Sequence, residues 1–424
     1  MDLRQSAIIE PDRNTAYVVP AIAVSLFVFA YSTQFGAISI LVFYGLWLGP
    51  LMLAPRVLLV HPAGVLALLT VPAIFVASTA WSDAAGTTLR AGIQYGVTFT
   101  CGMIAARIVS GANLMLGGTV GSLMVLIYSA MMGGYSYDYI DGTYAFNGAF
   151  SSKNQMGYYA SLAILFSSSL FWAFRSPPRL LPLALATLVL GLVLLVMSDS
   201  ATSLLSGFAA ISAVLAMRLV LGLAPGLRFA AVLFIVSAAM VAGLAAWWGG
   251  AFDALFAAFG SDSTLTGRTY LWNRALEFGR ESPLLGTGYN AFWVRGRPEA
   301  EALWETFYIT ARTGFHFHNL LIEAYVALGA LGLVVTGALC LLLFTLPLVV
   351  ALGPGNGGTL LVFTALCMMF LTRSVAEVDF ITPHTAGTFL VAFVLLSLID
   401  RRRTAYDATR LSRPSYVSSH GVAA

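Results

Sequence analysis

Runs of about twenty apolar residues recur along the whole of this 424-residue chain, and each is long enough to cross a hydrocarbon core of about 30 Å as a helix. Inside lipid the backbone must satisfy its own hydrogen bonds, which restricts a spanning chain to helices or a closed barrel. Barrel strands would alternate with period two, and these runs do not. The expectation is an all-α polytopic membrane protein. At 59% hydrophobic and 10% charged residues, the chain stands far from the roughly 25% charged content of soluble proteins.

Twelve runs are counted, near 16–30, 35–54, 63–81, 89–109, 114–132, 155–174, 180–197, 204–223, 229–248, 331–352, 360–373 and 386–399. They predict about twelve transmembrane helices: nine within 16–250, then, after a polar insert at 251–318, a re-entry helix from 319 and three further spans to 400. Thirteen arginines, among them Arg56, Arg107, Arg228 and Arg401 to Arg403, fall on one side of this arrangement. The short loops of the other side hold three cations, Arg90, Lys153 and Arg373. Positive residues stay in the cytoplasm, so tails 1–15 and 401–424 are expected there and the insert on the opposite side. Cys101, Cys340 and Cys367 lie inside apolar runs without a CxxC pair and read as packed thiols.

The insert carries 13 of the chain's 41 charged residues in 68 positions. From Thr266 to Ser282 it predicts a short amphipathic helix, with Leu271, Ala275 and Phe278 at i, i+4 and i+7 and Arg274, Glu277, Arg280 and Glu281 on the polar side. Arg274 and Arg280 are placed to bind lipid phosphates or to pair with the glutamates. Arg268 differs, because it stands beside Gly267 at the helix start, where backbone amides and a guanidinium can converge on one phosphate. Gly286 and Gly288 allow a tight turn or a close backbone approach. At the far end, His316-Phe-His318-Asn319 precedes a new apolar helix. Histidine suits acid or base work near neutrality, and Asn319 and Glu323, one helical turn apart, can orient His318. No matched pair of metal ligands accompanies the two histidines, so no metal and no cofactor is expected.

The remaining polar groups fall on the same side. Lys153, the chain's one lysine, and Asn154 close a wet loop, Ser198 to Ser203 supply hydroxyls, and Arg373, Glu377 and Asp379 end the eleventh run. Charges gathered near the membrane plane on one face suggest a functional site.

Five pieces, in order, carry a resemblance: Gly148-Ala-Phe-Ser-Ser-Lys153-Asn154-Gln-Met-Gly157, Ser198-Asp-Ser-Ala-Thr-Ser203, Leu265-Thr-Gly-Arg268-Thr-Tyr-Leu-Trp272, Pro283-Leu-Leu-Gly286-Thr-Gly288-Tyr-Asn-Ala-Phe-Trp293, and His316-Phe-His318-Asn319 followed by Gly329-Ala-Leu-Gly332. Together they resemble the O-antigen ligase and polysaccharide repeat-unit polymerase superfamily, within it the exopolysaccharide production proteins of the Wzy/ExoQ type. The resemblance implies a GT-C-like membrane glycosyltransferase that works without metal on undecaprenyl-pyrophosphate-linked glycans at the periplasmic face of the bacterial inner membrane. It implies Arg268 and His318 as catalytic residues, with 251–318 as the periplasmic catalytic loop. Lys153, Asn154, Arg280, His316, Asn319, Glu323 and Arg373 are the expected substrate-binding residues. In relatives the turn at 198–203 often carries a basic residue where Ala201 stands here, so either another cation, Lys153 or Arg373, takes that role or the donor is held differently.

The expected function is polymerisation of lipid-linked repeat units. A ligase that transfers glycan to lipid A core or protein shares the chemistry, and a transporter or flippase is the rival from another class. Expected partners are the lipid-linked glycans, the bilayer, a flippase and a chain-length regulator, with no role for nucleic acid.

Overall fold

The computed structural model describes residues 7–138, 143–250, 266–353 and 357–411. The first fifteen residues of the insert, including Thr264 and Leu265 of its opening motif, lie outside the described residues. In chain order the helices are α1 (Thr15–Leu53), α2 (Arg56–Leu59), α3 (Pro62–Ala77), α4 (Ala85–Ile108), α5 (Gly111–Met132), α6 (Lys153–Trp172), α7 (Leu181–Met197), α8 (Ala201–Gly222), α9 (Pro225–Trp248), α10 (Thr266–Glu281), α11 (Pro298–Thr306), α12 (Leu320–Ala351), α13 (Gly358–Arg373) and α14 (Ala386–Leu411). An antiparallel hairpin, β1 (Gly134–Asp138) and β2 (Thr143–Gly148), joins α5 to α6 and pairs Tyr137 with Tyr144.

Every one of the twelve apolar runs falls on a helix, but by length and composition seven described helices are suited to crossing a membrane. Two runs share α1, whose helix is interrupted at Tyr31 and at Gly36, where φ is 70°. Helices α4 and α6 carry more polar residues, α13 is 16 residues long, and α14 runs on into Asp400 and Arg401 to Arg403.

Burial separates the helices by role. In α14 every residue from Ala386 to Leu396 is buried, as expected of a helix that is apolar all round and sits in the interior. It lies so close to α4 that a Cβ on Gly102 would stand 2.4 Å from the carbonyl oxygen of Phe389. Among apolar helices in lipid, such small-residue contacts and van der Waals packing supply the association. By contrast, no described side chain of α9 is fully buried.

The insert has a core of its own. The predicted stripe Leu271, Ala275 and Phe278 packs with Phe292, Leu303, Trp304 and Phe317, and joins α12 through Val326. Where water is the reference, each large side chain buried here contributes about 1.5–3 kcal/mol. The insert is then fastened to a break in α12. At Gly329 the chain leaves helical geometry (φ 60°, ψ −145°). Thr287 N donates to Val326 O at 3.1 Å and Gly288 N to Ala327 O at 2.8 Å, while Ala330 N donates to Pro283 O at 2.8 Å and Leu331 N to Leu284 O at 3.2 Å. Backbone groups freed by the break are thus paired within the protein, as irregular backbone near lipid requires. Gly286 and Gly329 permit the approach, since a Cβ on either would lie 2.4 Å from the facing backbone.

Candidate active site

Three helix starts and one helix end meet on one face of the bundle. Ser152 caps α6 by accepting from Asn154 N, and Ser200 caps α8 by accepting from Ser203 N. Asn319 caps α12 by accepting from Leu321 N at 3.0 Å and Ile322 N at 3.1 Å. Ser and Asn are favoured at these positions because their oxygens satisfy otherwise unpaired amides. The quoted motifs therefore encode helix starts as well as polar side chains. Helix α13 ends beside them: Leu320 N donates to Ser374 O at 2.9 Å, and the Asn319 side chain donates to Val375 O at 3.1 Å. Each helix start adds partial positive charge to this face.

Glu377, just past α13, is the hub of the site. Its carboxylate accepts from Asn154 Nδ2 at 2.7 Å. Around it stand Arg268 Nη2 at 3.9 Å, His316 Nε2 at 3.8 Å and His318 Nδ1 at 3.8 Å. The Asn154 side chain is fixed from behind by Ser200 Oγ at 2.9 Å. Burial by itself would push the Glu377 carboxyl up, but His318, His316 and Arg373 around it hold it well below the usual carboxylate range.

Arg373, 1% exposed, is bound more tightly. Its Nε and Nη2 reach the two oxygens of Asp379 at 2.5 and 3.2 Å, and Nη1 donates to Ser203 Oγ at 3.2 Å. Its guanidinium carbon lies 4.4 Å from the centre of the Tyr158 ring. Arg373 therefore delivers a cation from α13 to the turn whose own position 201 is alanine.

The two histidines sit on a loop held from both sides. Trp272 of α10 donates to Phe317 O at 2.8 Å, and Glu323 accepts from Phe317 N at 2.8 Å and from Trp293 Nε1 at 3.1 Å. With Phe317 buried in the insert core and His318 at φ 51°, both imidazoles turn to Glu377. His318 N donates to His316 Nδ1 at 3.1 Å, which assigns the His316 proton to Nε2, the atom facing the carboxylate. Burial, reinforced by His318, pulls the His316 pKa down to about 3, so this ring is neutral near pH 7.

His316, His318 and Glu377 bring three possible metal-ligand atoms within 4.8 Å of one another. The donor set suits a metal poorly. Ligation through His316 Nε2 would require its proton to move to Nδ1, which already accepts from a backbone amide, and the Arg268 guanidinium stands at the Glu377 Oε1 that His318 also faces.

A cavity of about 370 Å³ opens beside the cluster, with Phe29, Phe75, Tyr158, Tyr289 and Trp293 among its walls and His316, Glu323, Glu377 and Asp379 as polar lining. Aromatic walls with a few convergent polar groups are the usual makeup of a small-molecule site. A larger apolar hollow of about 620 Å³ between α8, α9, α12 and α13 contains none of these charged groups.

Of the residues expected from sequence, Arg268, His316, His318, Asn154 and Arg373 come together. Lys153 is buried beside Asn154 at the start of α6. Asn319 and Glu323 play supporting parts, as a helix cap and as an anchor of the histidine loop, and neither is the group facing His318. Arg280 is not brought to the site: it lies with Leu276, Leu321 and Tyr325, twelve residues and roughly 18 Å along α10 from Arg268. The main residue not assigned from sequence is Glu377. Its signal was the run of three charges, Arg373, Glu377 and Asp379, at the end of an apolar helix, but only the fold shows which of the three the histidines face.

Comparison with known proteins identifies the family. A family model described as O-antigen ligase matches residues 186–337, a span that includes Ser200, Arg268 and both histidines, while Asn154, Arg373 and Glu377 lie beyond its ends. Over 408 residues the chain is 40% identical to the exopolysaccharide production protein ExoQ of Rhizobium meliloti (strain 1021), covering 96% of this chain and 93% of that protein. Such membership implies a membrane glycosyltransferase-like activity. The chain belongs to the O-antigen ligase and polysaccharide polymerase superfamily, among the ExoQ-type exopolysaccharide production proteins.

Proposed function

We propose that this protein polymerises undecaprenyl-pyrophosphate-linked oligosaccharide repeat units at the periplasmic face of the bacterial inner membrane. Both termini would then be cytoplasmic, and the bundle of about twelve spans would be of GT-C type. The observation that carries the proposal is the convergence of Arg268, Arg373, His316 and His318 around Glu377, at three helix starts and beside an aromatic cavity. A lipid pyrophosphate is an anionic leaving group that has to be handled at the membrane surface, and this face gathers its cations there.

In the reaction, an acceptor hydroxyl oxygen attacks the anomeric carbon of the donor glycan and the bond from that carbon to the phosphate oxygen breaks. Negative charge grows on the departing oxygen, where Arg268, Arg373 and the helix starts stabilise it more than they stabilise the ground state. The acceptor proton passes to His318. Glu377 faces His318 Nδ1, which leaves Nε2 as the basic nitrogen, and a placed base contributes about 10²-fold to 10⁴-fold. His316 is the poorer base, since its lone pair is committed to His318 N and its pKa is near 3. The products are a longer lipid-linked glycan and undecaprenyl pyrophosphate. A flippase that supplies the donor and a chain-length regulator are the expected partners.

The match to an O-antigen ligase model favours a second reading, in which the acceptor is lipid A core or a protein. Purified protein in liposomes with a lipid-linked repeat unit separates the two. Elongation is expected, and Arg268→Ala or His318→Ala should abolish it without loss of membrane insertion. Full activity of either variant would remove that residue from the chemistry. A deletion strain that still makes long polymer but fails to attach it would sink the polymerase assignment.

A further inference from the structure

The two arginines of the site are held in opposite ways. Arg373 is closed onto Asp379 at 2.5 and 3.2 Å, whereas Arg268 stops 3.9 Å from Glu377. The histidines likewise stop 3.8 Å from the Glu377 carboxylate, and His318 Nδ1 is buried without a hydrogen-bond partner. Donors drawn toward an anion yet standing about 1 Å beyond the normal hydrogen-bond separation of about 2.8 Å surround a space wider than one carboxylate fills. A phosphate group, with three outer oxygens, is wider. Among the described residues Asn154 alone closes on the Glu377 carboxylate, at 2.7 Å, so the carboxylate is fixed from the α6 side while Arg268 and the histidines stand off at 3.8–3.9 Å.

We propose that Glu377 is a built-in competitor of the lipid pyrophosphate, facing Arg268 and the two histidines between turnovers and weakening their grip on the pyrophosphate so that the product leaves. This rests on the assignment of the cluster as a pyrophosphate site. With Arg373 already paired to Asp379, Arg268 and three helix starts with no carboxylate facing them would hold a polyprenyl pyrophosphate through many turnovers. A like charge within about 6 Å of a bound phosphate, screened as it is near a protein surface, changes affinity by more than tenfold.

The test is binding of farnesyl pyrophosphate to the purified full chain in nanodiscs, with farnesol as control. Wild type should bind the pyrophosphate and Arg268→Ala should weaken it; E377Q should tighten it at least tenfold, with an unchanged melting temperature. E377D keeps the charge but draws it back by one methylene, so a smaller tightening is expected. Binding by folded E377Q equal to or weaker than wild type overturns the proposal and leaves the pyrophosphate site standing. If E377Q fails to assemble, E377D decides, and unchanged or weaker binding by it overturns the proposal. No binding by wild type, with no effect of Arg268→Ala, would remove the pyrophosphate site itself and the competitor with it.

Discussion

Gly329→Ala should disconnect the insert from the membrane bundle. The backbone at Gly329 has φ 60° and ψ −145°, a region that is essentially glycine's own and costs another residue about 1–3 kcal/mol. The new Cβ would also stand 2.4 Å from the Leu284 carbonyl carbon, and backbone on both sides leaves no rotamer to absorb the overlap. Relief requires segment 283–288 to part from α12, which strains or breaks four hydrogen bonds worth about 0.5–1.5 kcal/mol each. A loss of about 3 kcal/mol or more follows, equivalent to a fall of about 3 °C or more in Tm if the whole chain unfolds as one unit, and more if the insert unfolds separately. Gly337→Ala, in the same helix with nothing within 4 Å of the added carbon, is the control, and it should be neutral or stabilising by up to about 1 kcal/mol. Thermal unfolding in detergent, limited proteolysis of the insert and the elongation assay read the three consequences together. A Gly329→Ala protein with the melting temperature and protease resistance of Gly337→Ala would refute the view that the break exists to dock the insert.

Three further outcomes follow from the site. Arg373→Met should cost about 3 kcal/mol by removing a buried guanidinium and leaving the half-buried Asp379 unpaired; the double variant R373M/D379L should regain most of that stability in thermal unfolding and still not elongate glycan. His316 has a pKa of about 3 in the fold against 6.5 as its ordinary value, so the unfolded chain takes up the proton first as pH falls and wild-type stability should drop between pH 6.5 and 3; H316Q should show a shallower decline in Tm over that range, and an identical decline would exclude His316 as the cause. Asn319→Ala removes the α12 cap and its tie to Val375, for a loss of about 1 kcal/mol and a lower elongation rate with donor affinity retained.

Much of the fold was legible because lipid restricts the alternatives. Apolar length alone located every long helix of the bundle, and the i, i+4, i+7 stripe located α10 and its buried face. The exact division of spans was not legible, since Gly329 interrupts a helix inside apolar sequence where hydropathy shows no change, whereas the break at Tyr31 to Gly36 falls at the polar gap between two runs. In the site, Arg268, Asn154 and the histidines were marked by short motifs with local meaning. Glu377 was not, because its importance lies in contacts with residues as far away as Asn154. Arg280 was misplaced for a related reason: the polar side of an amphipathic helix is visible in sequence, but distance along its axis from a catalytic point is not.

The Asn154 to Glu377 bond spans 223 positions, and this has a consequence for how the protein is made. Translation at about 5–20 residues per second separates the two by roughly 10–45 s, so α6 and α8 are made before their partner side chains exist. Asn154 and Ser203 must wait for α13 to deliver Glu377 and Arg373, so the cation cluster closes only when the last spans are inserted. A nascent or truncated chain therefore lacks half of its charge-paired site, and Asn154 and Ser203 stay without their late partners until α13 is made.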